Sequence, residues 1–209
     1  MGQPHYVVFD TETTGIFEFK DKATGKPVPA DAPGQPRMAS LAAIIADADG
    51  EELDRVRLYV RPDGWSIDGT EASAVNGLTD DFLRRKGIPV TAVLDLWRTW
   101  VGQGLIIAAF NAQFDCKMMR AELRRAGRPD LFEETRNICL MRGLKPYHGD
   151  GLPIRGGFIK LSAACEFFGI PQREAHDAMS DTEDAFALLK IMIRDGRVPD
   201  AKVHYAKEA

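Results

Sequence analysis

The feature that most constrains this chain is an apolar run near its start, Tyr6-Val7-Val8-Phe9, which leads directly into Asp10 and Glu12. A short run of β-branched and aromatic residues predicts a buried strand. Side chains alternate along a strand, so Asp10 and Glu12 are expected on one face, where their charges repel each other. A divalent cation such as Mg²⁺ or Mn²⁺ would relieve that repulsion. Solvated acids in a polar turn are the alternative, and this stretch alone does not decide between them.

The composition is ordinary for a soluble globular protein. The 209 residues are 44% hydrophobic and 28% charged, which is enough for one domain with a substantial core. No apolar run reaches the roughly 18 residues of a membrane span, and the start lacks the pattern of a signal peptide. The three cysteines are far apart, which indicates neither a disulfide framework nor a zinc site. We therefore expect a cytoplasmic protein without a membrane partner.

The net charge of −4 limits how the chain could interact with nucleic acid. An acidic protein does not adhere broadly to a polyanion. If the substrate is a nucleic acid, it should be held locally, at an end, with metal ions supplying much of the positive charge.

Periodicity and turn signals predict one α/β domain. Two β-like runs, 39–48 and 53–61, are joined by Asp49-Gly50, a strong hairpin signal, so three strands open the domain as an antiparallel meander. A second continuous apolar run, 104–110, predicts another buried strand. Helices are predicted over 80–86, 90–101, 112–126, 161–168 and 178–193, and a short helix or turn plus a strand over 131–140.

The remaining stretches are predicted to be irregular. Residues 66–76 are expected to be less regular, 143–157 a Gly- and Pro-rich loop, and 17–37 a long loop that is either a passive insertion or a lid. Asn111 is expected to cap the helix that follows it. The domain is predicted to cover residues 1–195, followed by a short polar tail over 196–209.

Two further acids, Asp115 and Asp181, lie near the starts of predicted helices. Taken singly, acids in these positions usually serve the helix dipole. Here they stand in the patterns Asn111-x-x-Phe114-Asp115 and His176-x-x-x-x-Asp181, which follow Asp10-x-Glu12-Thr13-Thr14-Gly15 in order. With these three motifs the chain resembles the DnaQ-like 3′–5′ exonucleases of the DEDDh type, in the ribonuclease H-like superfamily. That family includes polymerase proofreading subunits, ribonuclease T and oligoribonuclease, and the likeness spans residues 6–192.

The resemblance implies a mixed five-stranded sheet, with an antiparallel meander first and parallel strands after it, flanked by helices. It implies hydrolysis of phosphodiester bonds at the 3′ end of single-stranded or frayed DNA, with release of nucleoside 5′-monophosphates. Two divalent ions, Mg²⁺ with Mn²⁺ as a substitute, would be held by four carboxylates, those of Asp10, Glu12, Asp115 and Asp181. His176 would take the proton from the attacking water. The candidates for substrate contacts are Thr13, Thr14, Ile16, Asn111 and Phe114.

Helix geometry separates His176 from the last helix. Five residues rotate an α-helix by about 500°, which leaves two side chains roughly 140° apart. His176 and Asp181 could not both face one site from a continuous helix, so His176 is predicted on the loop before it. Glu174 and Asp177 flank His176 and would raise its pKa if they lie close.

Several features leave the substrate open. Asn76-Gly77 stands where many relatives have a histidine before glycine, residues 40–43 lack an acid often found there, and 17–37 looks like an insertion. An exoribonuclease of the ribonuclease T or oligoribonuclease kind is the first alternative. A non-catalytic nucleic-acid-binding scaffold is the second. A homodimer is compatible with the sequence, whereas a polymerase partner is not favoured because the tail after Asp195 is short.

Overall fold

The computed structural model describes residues 2–133, 135–171 and 176–203. Five strands form one sheet in the order β3–β2–β1–β4–β5. β1 pairs antiparallel with β2, and β2 with β3, whereas β1–β4 and β4–β5 are parallel. The strands are β1 Tyr6–Thr13, β2 Met38–Ala46, β3 Glu52–Tyr59, β4 Ile106–Ala109 and β5 Asn137–Cys139. This is the mixed sheet that the resemblance implied.

Seven α-helices surround the sheet in the described part of the chain. They are α1 Glu71–Asn76, α2 Asp80–Lys86, α3 Val90–Gly102, α4 Ala112–Arg125, α5 Leu140–Gly143, α6 Leu161–Phe168 and α7 Ala178–Arg194, with 3₁₀ turns at Leu131–Glu133 and Lys145–Asp150. α7 packs across β1 and β2, and α4 contacts β1, β2, β4 and β5. All nine residues of β2 are buried, so helices cover both faces of the sheet at that strand. None of the described helices is long and apolar enough to span a membrane.

The core is built on β1 and on the tryptophans of α3. Phe9 meets Trp97 edge to face with ring centroids 4.8 Å apart, and Trp97 stacks on Phe132 at 5.6 Å. Trp97 is fully buried and Trp100 is 6% exposed, so both tryptophans belong to the core. The three cysteines are buried and free.

The local predictions differ from the structure at three places. The stretch expected to be irregular contains α1, which begins after Thr70, whose hydroxyl accepts from the Ser73 N–H. Asn111 makes no side-chain hydrogen bond to the start of α4, so its expected capping role is wrong. The stretch 143–157 contains a 3₁₀ turn in place of a continuous loop. In the predicted tail, Lys202 pairs with Asn137 at the edge of the sheet.

Candidate active site

Three carboxylates meet at the carboxyl end of β1. Asp10 and Glu12 lie two residues apart on the strand, and Asp181 lies in the first turn of α7, which packs across the same strand. One potential ligand atom from each carboxylate lies within 4.8 Å of those of the other two. The register of β1 against β2 shifts between Glu12 and Thr13, and such bulges are frequent beside active sites because they redirect the side chains around them.

Asp115 lies beside this cluster in a separate hydrogen-bonded position. α4 begins directly after β4, the parallel neighbour of β1, and this brings its first turn to the same edge of the sheet. The Asp115 Oδ1 atom accepts from the Thr11 hydroxyl at 2.8 Å and from the Thr11 N–H at 3.2 Å. Asp115 is 4% exposed, so these two bonds compensate for burial of its carboxylate.

The environment of these acids favours their neutral forms. Burial raises the pKa of Asp10 well above its ordinary value, and repulsion from Asp115, Asp181 and Glu12 raises it further. Burial also raises the pKa of Glu12 to about 7, against a lowering contribution from the Asn76 amide. The accumulated negative charge is therefore unfavourable without a cation.

The other two acids follow the same pattern. Burial raises the pKa of Asp115 to about 7, and the hydrogen bonds from Thr11 oppose that shift. Burial raises the pKa of Asp181, while the charge and the backbone N–H of His176 lower it. Each of these acids thus has a described neighbour that favours its charged form.

His176 precedes α7, as the helix geometry predicted. Its side chain is exposed and lines the cleft, and its backbone is left-handed, with φ at 64°. That conformation is uncommon for a residue other than glycine. Asp177 caps α7 by accepting from the Ser180 N–H at 3.0 Å, and it also pairs with the Arg57 guanidinium at 2.6 Å. Glu174, the other predicted neighbour of His176, lies outside the described residues.

The carboxylates lie in an open cleft of about 630 Å³. Its walls combine acids with aromatic and small polar residues. Lys160 is the single lysine or arginine among the described residues that form these walls. The lining residues are Asp10, Thr11, Glu12, Phe110, Asn111, Phe114, Asp115, Phe158, Lys160, Leu161, Ser162, Cys165, His176, Asp181 and Asp184.

The predicted substrate contacts divide into two groups. Among the described residues, Asn111 and Phe114 line the cleft, whereas Thr13, Thr14 and Ile16 do not. The Thr13 hydroxyl donates to the Gly15 carbonyl at 2.6 Å, and the Thr14 hydroxyl accepts from the Arg37 N–H at 2.9 Å. Ile16 is 87% exposed, so its side chain is available at the surface.

Several residues at the site carried no predicted role, among them Thr11, Asn76, Phe158 and Lys160. Thr11 fixes Asp115, and the Asn76 Nδ2 atom donates to the Glu12 carboxylate at 3.4 Å. Phe158 and Lys160 form part of the cleft wall. Asn76 was visible in the sequence as a departure from the family pattern. Thr11 and Phe158 carry no sequence signal of their own, because their roles depend on chain segments that are distant along the sequence.

The comparisons with known proteins agree with this geometry. The family model RNase_T, described as an exonuclease family, matches residues 7–189. A PolC-type DNA polymerase III from Bacillus subtilis is 27% identical over 205 residues, which is 95% of this chain and 12% of that relative. A PolC-type DNA polymerase III from Bacillus cereus is 27% identical over 200 residues, 93% of this chain and 12% of the relative. The chain thus spans about one eighth of these curated relatives.

Solved structures with the same fold are also found. Zinc-bound E. coli exonuclease I in complex with single-stranded DNA aligns with a TM-score of 0.73 at 20% identity, over 93% of this chain and 41% of that one. The cell-death related nuclease 4 (CRN-4) aligns with a TM-score of 0.68 at 16% identity, over 92% and 65%. At this identity the alignments show a shared fold.

Proposed function

The chain belongs to the exonuclease family whose model matches residues 7–189, and from this premise we propose that it is a metal-dependent 3′–5′ exonuclease. Its substrate would be the 3′ end of single-stranded or frayed DNA, and its products nucleoside 5′-monophosphates. The observation that carries the proposal is the cluster of Asp10, Glu12 and Asp181, whose ligand atoms lie within 4.8 Å of one another on the wall of an open cleft.

The donor set fits a divalent metal with a preference for oxygen ligands. Carboxylate oxygens suit Mg²⁺ and Mn²⁺, and the pKa values of Asp10 and Glu12 are raised because burial disfavours their ionised forms, which a bound cation would stabilise. We propose two Mg²⁺ ions, replaceable by Mn²⁺, with Asp115 as the fourth carboxylate beside the cluster. When bound, such ions lower the pKa of a water molecule and neutralise charge on the phosphate oxygens.

His176 is the proposed general base. An imidazole with a pKa near neutrality is suited to accept a proton from an attacking water. Its side chain lines the cleft and its backbone N–H binds the Asp181 carboxyl. This bond places the His176 backbone beside the carboxylate cluster, and the exposed side chain would be able to pass the proton to solvent.

The walls of the cleft suit the end of a flexible strand. Asn111 and Phe114 offer an amide and an aromatic ring to the terminal nucleotide, and contacts of this kind tolerate different bases. The relatives favour DNA over RNA, because the PolC-type proteins are DNA polymerases and the exonuclease I structures contain single-stranded DNA or a dA16 oligonucleotide. RNA remains the alternative substrate in the experiment below.

The test is digestion of 5′-labelled single-stranded DNA and RNA of matched sequence, with Mg²⁺, with Mn²⁺ or with EDTA. We expect a metal-dependent ladder that shortens from the 3′ end, with faster cleavage of DNA. Replacement of Asp10 by Asn should abolish the ladder, because a neutral amide of the same shape binds a divalent cation much more weakly than a carboxylate does. Full activity of Asp10→Asn would refute the assignment.

A stability measurement serves as the control. Asp10→Asn removes a buried charge without changing the volume of the side chain, so its melting temperature in EDTA should equal or exceed that of the wild type. An inactive Asp10→Asn variant with such a melting temperature is folded, so its inactivity reports the loss of the catalytic carboxylate. Absence of cleavage by the wild type in either metal would instead favour the scaffold alternative.

We also propose that residues 1–195 form the exonuclease domain, with 196–209 as a tail, and that it acts in the cytoplasm. The family match over 7–189 and the end of α7 at Arg194 support the domain boundary. A homodimer remains a prediction that size-exclusion chromatography with light scattering would test.

A further inference from the structure

Residues 16–37, which lie between β1 and β2, form a folded segment. Gln35 is 7% exposed and joins the two sides of the segment. Its Oε1 atom accepts from the Glu18 N–H at 3.0 Å, and its Nε2 atom donates to the Glu18 carbonyl at 2.7 Å and the Pro29 carbonyl at 3.2 Å. The far end is a short hairpin in which Val28 N–H donates to the Phe19 carbonyl at 3.1 Å. These bonds hold the backbone of Phe19 in place.

A buried ion cluster fixes the same segment to α4. Glu122 is 1% exposed and accepts from the Arg37 Nε at 2.9 Å and from the Arg125 Nη1 at 3.0 Å. The Arg125 guanidinium also donates to the Ala30 carbonyl at 3.0 Å and the Pro36 carbonyl at 2.9 Å. The segment is thereby fixed to the last turns of α4, and Phe114 and Asp115 in the first turn of the same helix line the cleft.

An aromatic and cationic surface leads outward from that wall. Phe114 lines the cleft, and the buried Phe17 packs on it edge to face with ring centroids 5.5 Å apart. The Lys117 ammonium lies 4.4 Å from the Phe17 ring centroid and 3.9 Å from that of Phe19. Phe19 is 60% exposed although it is a large apolar residue. We call Phe17, Phe19 and Lys117 the aromatic shelf.

The distribution of charge makes this shelf suitable for a polyanion. The cleft is lined by five carboxylates, with Lys160 as the single lysine or arginine among its described residues. By contrast, the Lys117 ammonium lies on the shelf, and Lys20, Lys22 and Lys26 are exposed on the adjoining segment. In a chain of net charge −4, a strand that enters the acidic cleft needs such positive charge outside it.

We propose that the aromatic shelf binds the single strand on the 5′ side of the terminal nucleotide. A base stacks on the exposed ring of Phe19, and the Lys117 ammonium pairs with a neighbouring phosphate. Single-stranded nucleic acid is commonly held by this combination of aromatic rings and cations. The inference rests on the proposed function and adds to it a preference for strands long enough to reach the shelf.

The experiment compares KM for two 5′-labelled single strands, about three and about ten nucleotides long. We expect the wild type to have a lower KM for the longer strand. Phe19→Ala should raise KM for the long strand roughly tenfold, since stacking of one base accounts for a change of this order. KM for the short strand should not change. Phe19→Trp should preserve the advantage of the long strand, because indole also stacks.

Salt dependence tests the cation separately. Lys117→Met keeps the aliphatic packing on Phe17 but removes the charge. It should reduce the slope of log KM against log salt by about 0.7, the contribution of one phosphate contact on a single strand. Lys86→Ala, an exposed lysine in the last turn of α2, is the matched control and should leave the slope unchanged.

The outcomes separate the two proposals. If the wild type cleaves both strands but Phe19→Ala and Lys117→Met retain its length preference and salt slope, the shelf is refuted and the exonuclease assignment stands. A wild type without any length preference also refutes the shelf. A wild type that cleaves neither strand with Mg²⁺ or Mn²⁺ refutes the proposed function, and the shelf with it.

Discussion

The acids of the cleft hold their negative charge at an energetic cost. Asp10, Glu12 and Asp181 share a partly buried space in which few groups compensate them. Asn76 reaches Glu12 at 3.4 Å, whereas Thr11 binds Asp115 through both its N–H and its hydroxyl. This arrangement stabilises the folded chain poorly in the absence of a cation, as is common for residues selected for function.

The first prediction concerns the dependence of stability on pH in the presence of EDTA. Burial raises the pKa of Glu12 and of Asp115 to about 7 in the folded protein, against values near 4 in an unfolded chain. The folded state thus binds protons more tightly, so this contribution to stability is fully present below about pH 4 and is lost as the pH rises through about 7. The melting temperature should fall by roughly 3–10 °C between pH 5.5 and pH 8.

The fall in melting temperature between pH 5.5 and pH 8 should be smaller in Glu12→Gln, because this variant lacks one of the titrating groups. Mg²⁺ should raise the melting temperature of the wild type at pH 8 and have little effect at pH 5.5, where protons compete for the carboxylates. Differential scanning calorimetry measures both effects, with Glu71→Gln, an exposed residue of α1, as the control. A wild-type melting temperature that rises with pH in EDTA would contradict the pKa shifts.

Among the elements, β3 and α7 together set the position of His176. Asp177 caps α7, and the Arg57 guanidinium on β3 binds the same carboxylate oxygen at 2.6 Å. His176 adjoins this cap in its left-handed conformation. Arg57 thus acts on the proposed base indirectly, by holding the residue that follows it.

We expect Arg57→Ala to lower kcat by roughly tenfold with little change in KM, because a loosened cap lets the His176 loop occupy other conformations. The melting temperature should change little, since a partly exposed ion pair contributes about 0–1 kcal/mol. Steady-state kinetics with Arg57→Lys as the conservative variant check this. Arg55 lies on the same strand as Arg57, and Arg55→Ala, which removes its pairs with Glu52 of β3 and Glu183 of α7, should retain wild-type kcat. An equal loss of kcat in Arg57→Ala and Arg55→Ala would contradict the prediction, because it would show that any disturbance of β3 lowers the rate.

For the molecule as a whole, the buried Glu122 joins the segment 16–37 to the rest of the fold. Its carboxylate binds the Arg37 and Arg125 side chains and the Met38 N–H at the start of β2. These contacts unite α4, β2 and the segment, which carries Phe17 to its place against the cleft wall. One side chain therefore links the sheet to the proposed shelf.

Replacement of Glu122 by Ala leaves two guanidinium groups near each other without their buried counter-charge. We expect a loss of roughly 3 kcal/mol in the free energy of unfolding, which corresponds to a melting temperature lower by roughly 6–12 °C. Thermal unfolding measures this, and limited proteolysis should show earlier cleavage within residues 16–37. Glu51→Ala, whose side chain is 73% exposed, should change neither. A Glu122→Ala variant as stable as the wild type would show that the ion cluster does not anchor the segment.

Much of the fold could be predicted from local patterns. The apolar run 6–9 and the turn at Asp49-Gly50 set β1 and the hairpin of β2 with β3, because strand alternation and turn geometry depend on neighbouring residues. α1 was missed because six residues give too little periodicity to recognise. Asn111 was assigned a cap by residue type, but its side chain makes no such bond.

Spacing along the chain was enough to predict the antiparallel meander and the last helix with His176 ahead of it, whereas the parallel strands of the sheet and the set of acids followed from the family resemblance that the three motifs carry. Which side chains meet at the site depends on the packing of elements that are distant along the chain. This packing brings Asp181 to Asp10 and Glu12, lets the Thr11 hydroxyl donate a hydrogen bond to Asp115, and places the Lys117 ammonium over the Phe19 ring. These contacts join residues that are distant in sequence, and their geometry follows from how α4, α7 and the segment 16–37 pack on the sheet. No local pattern contains that information.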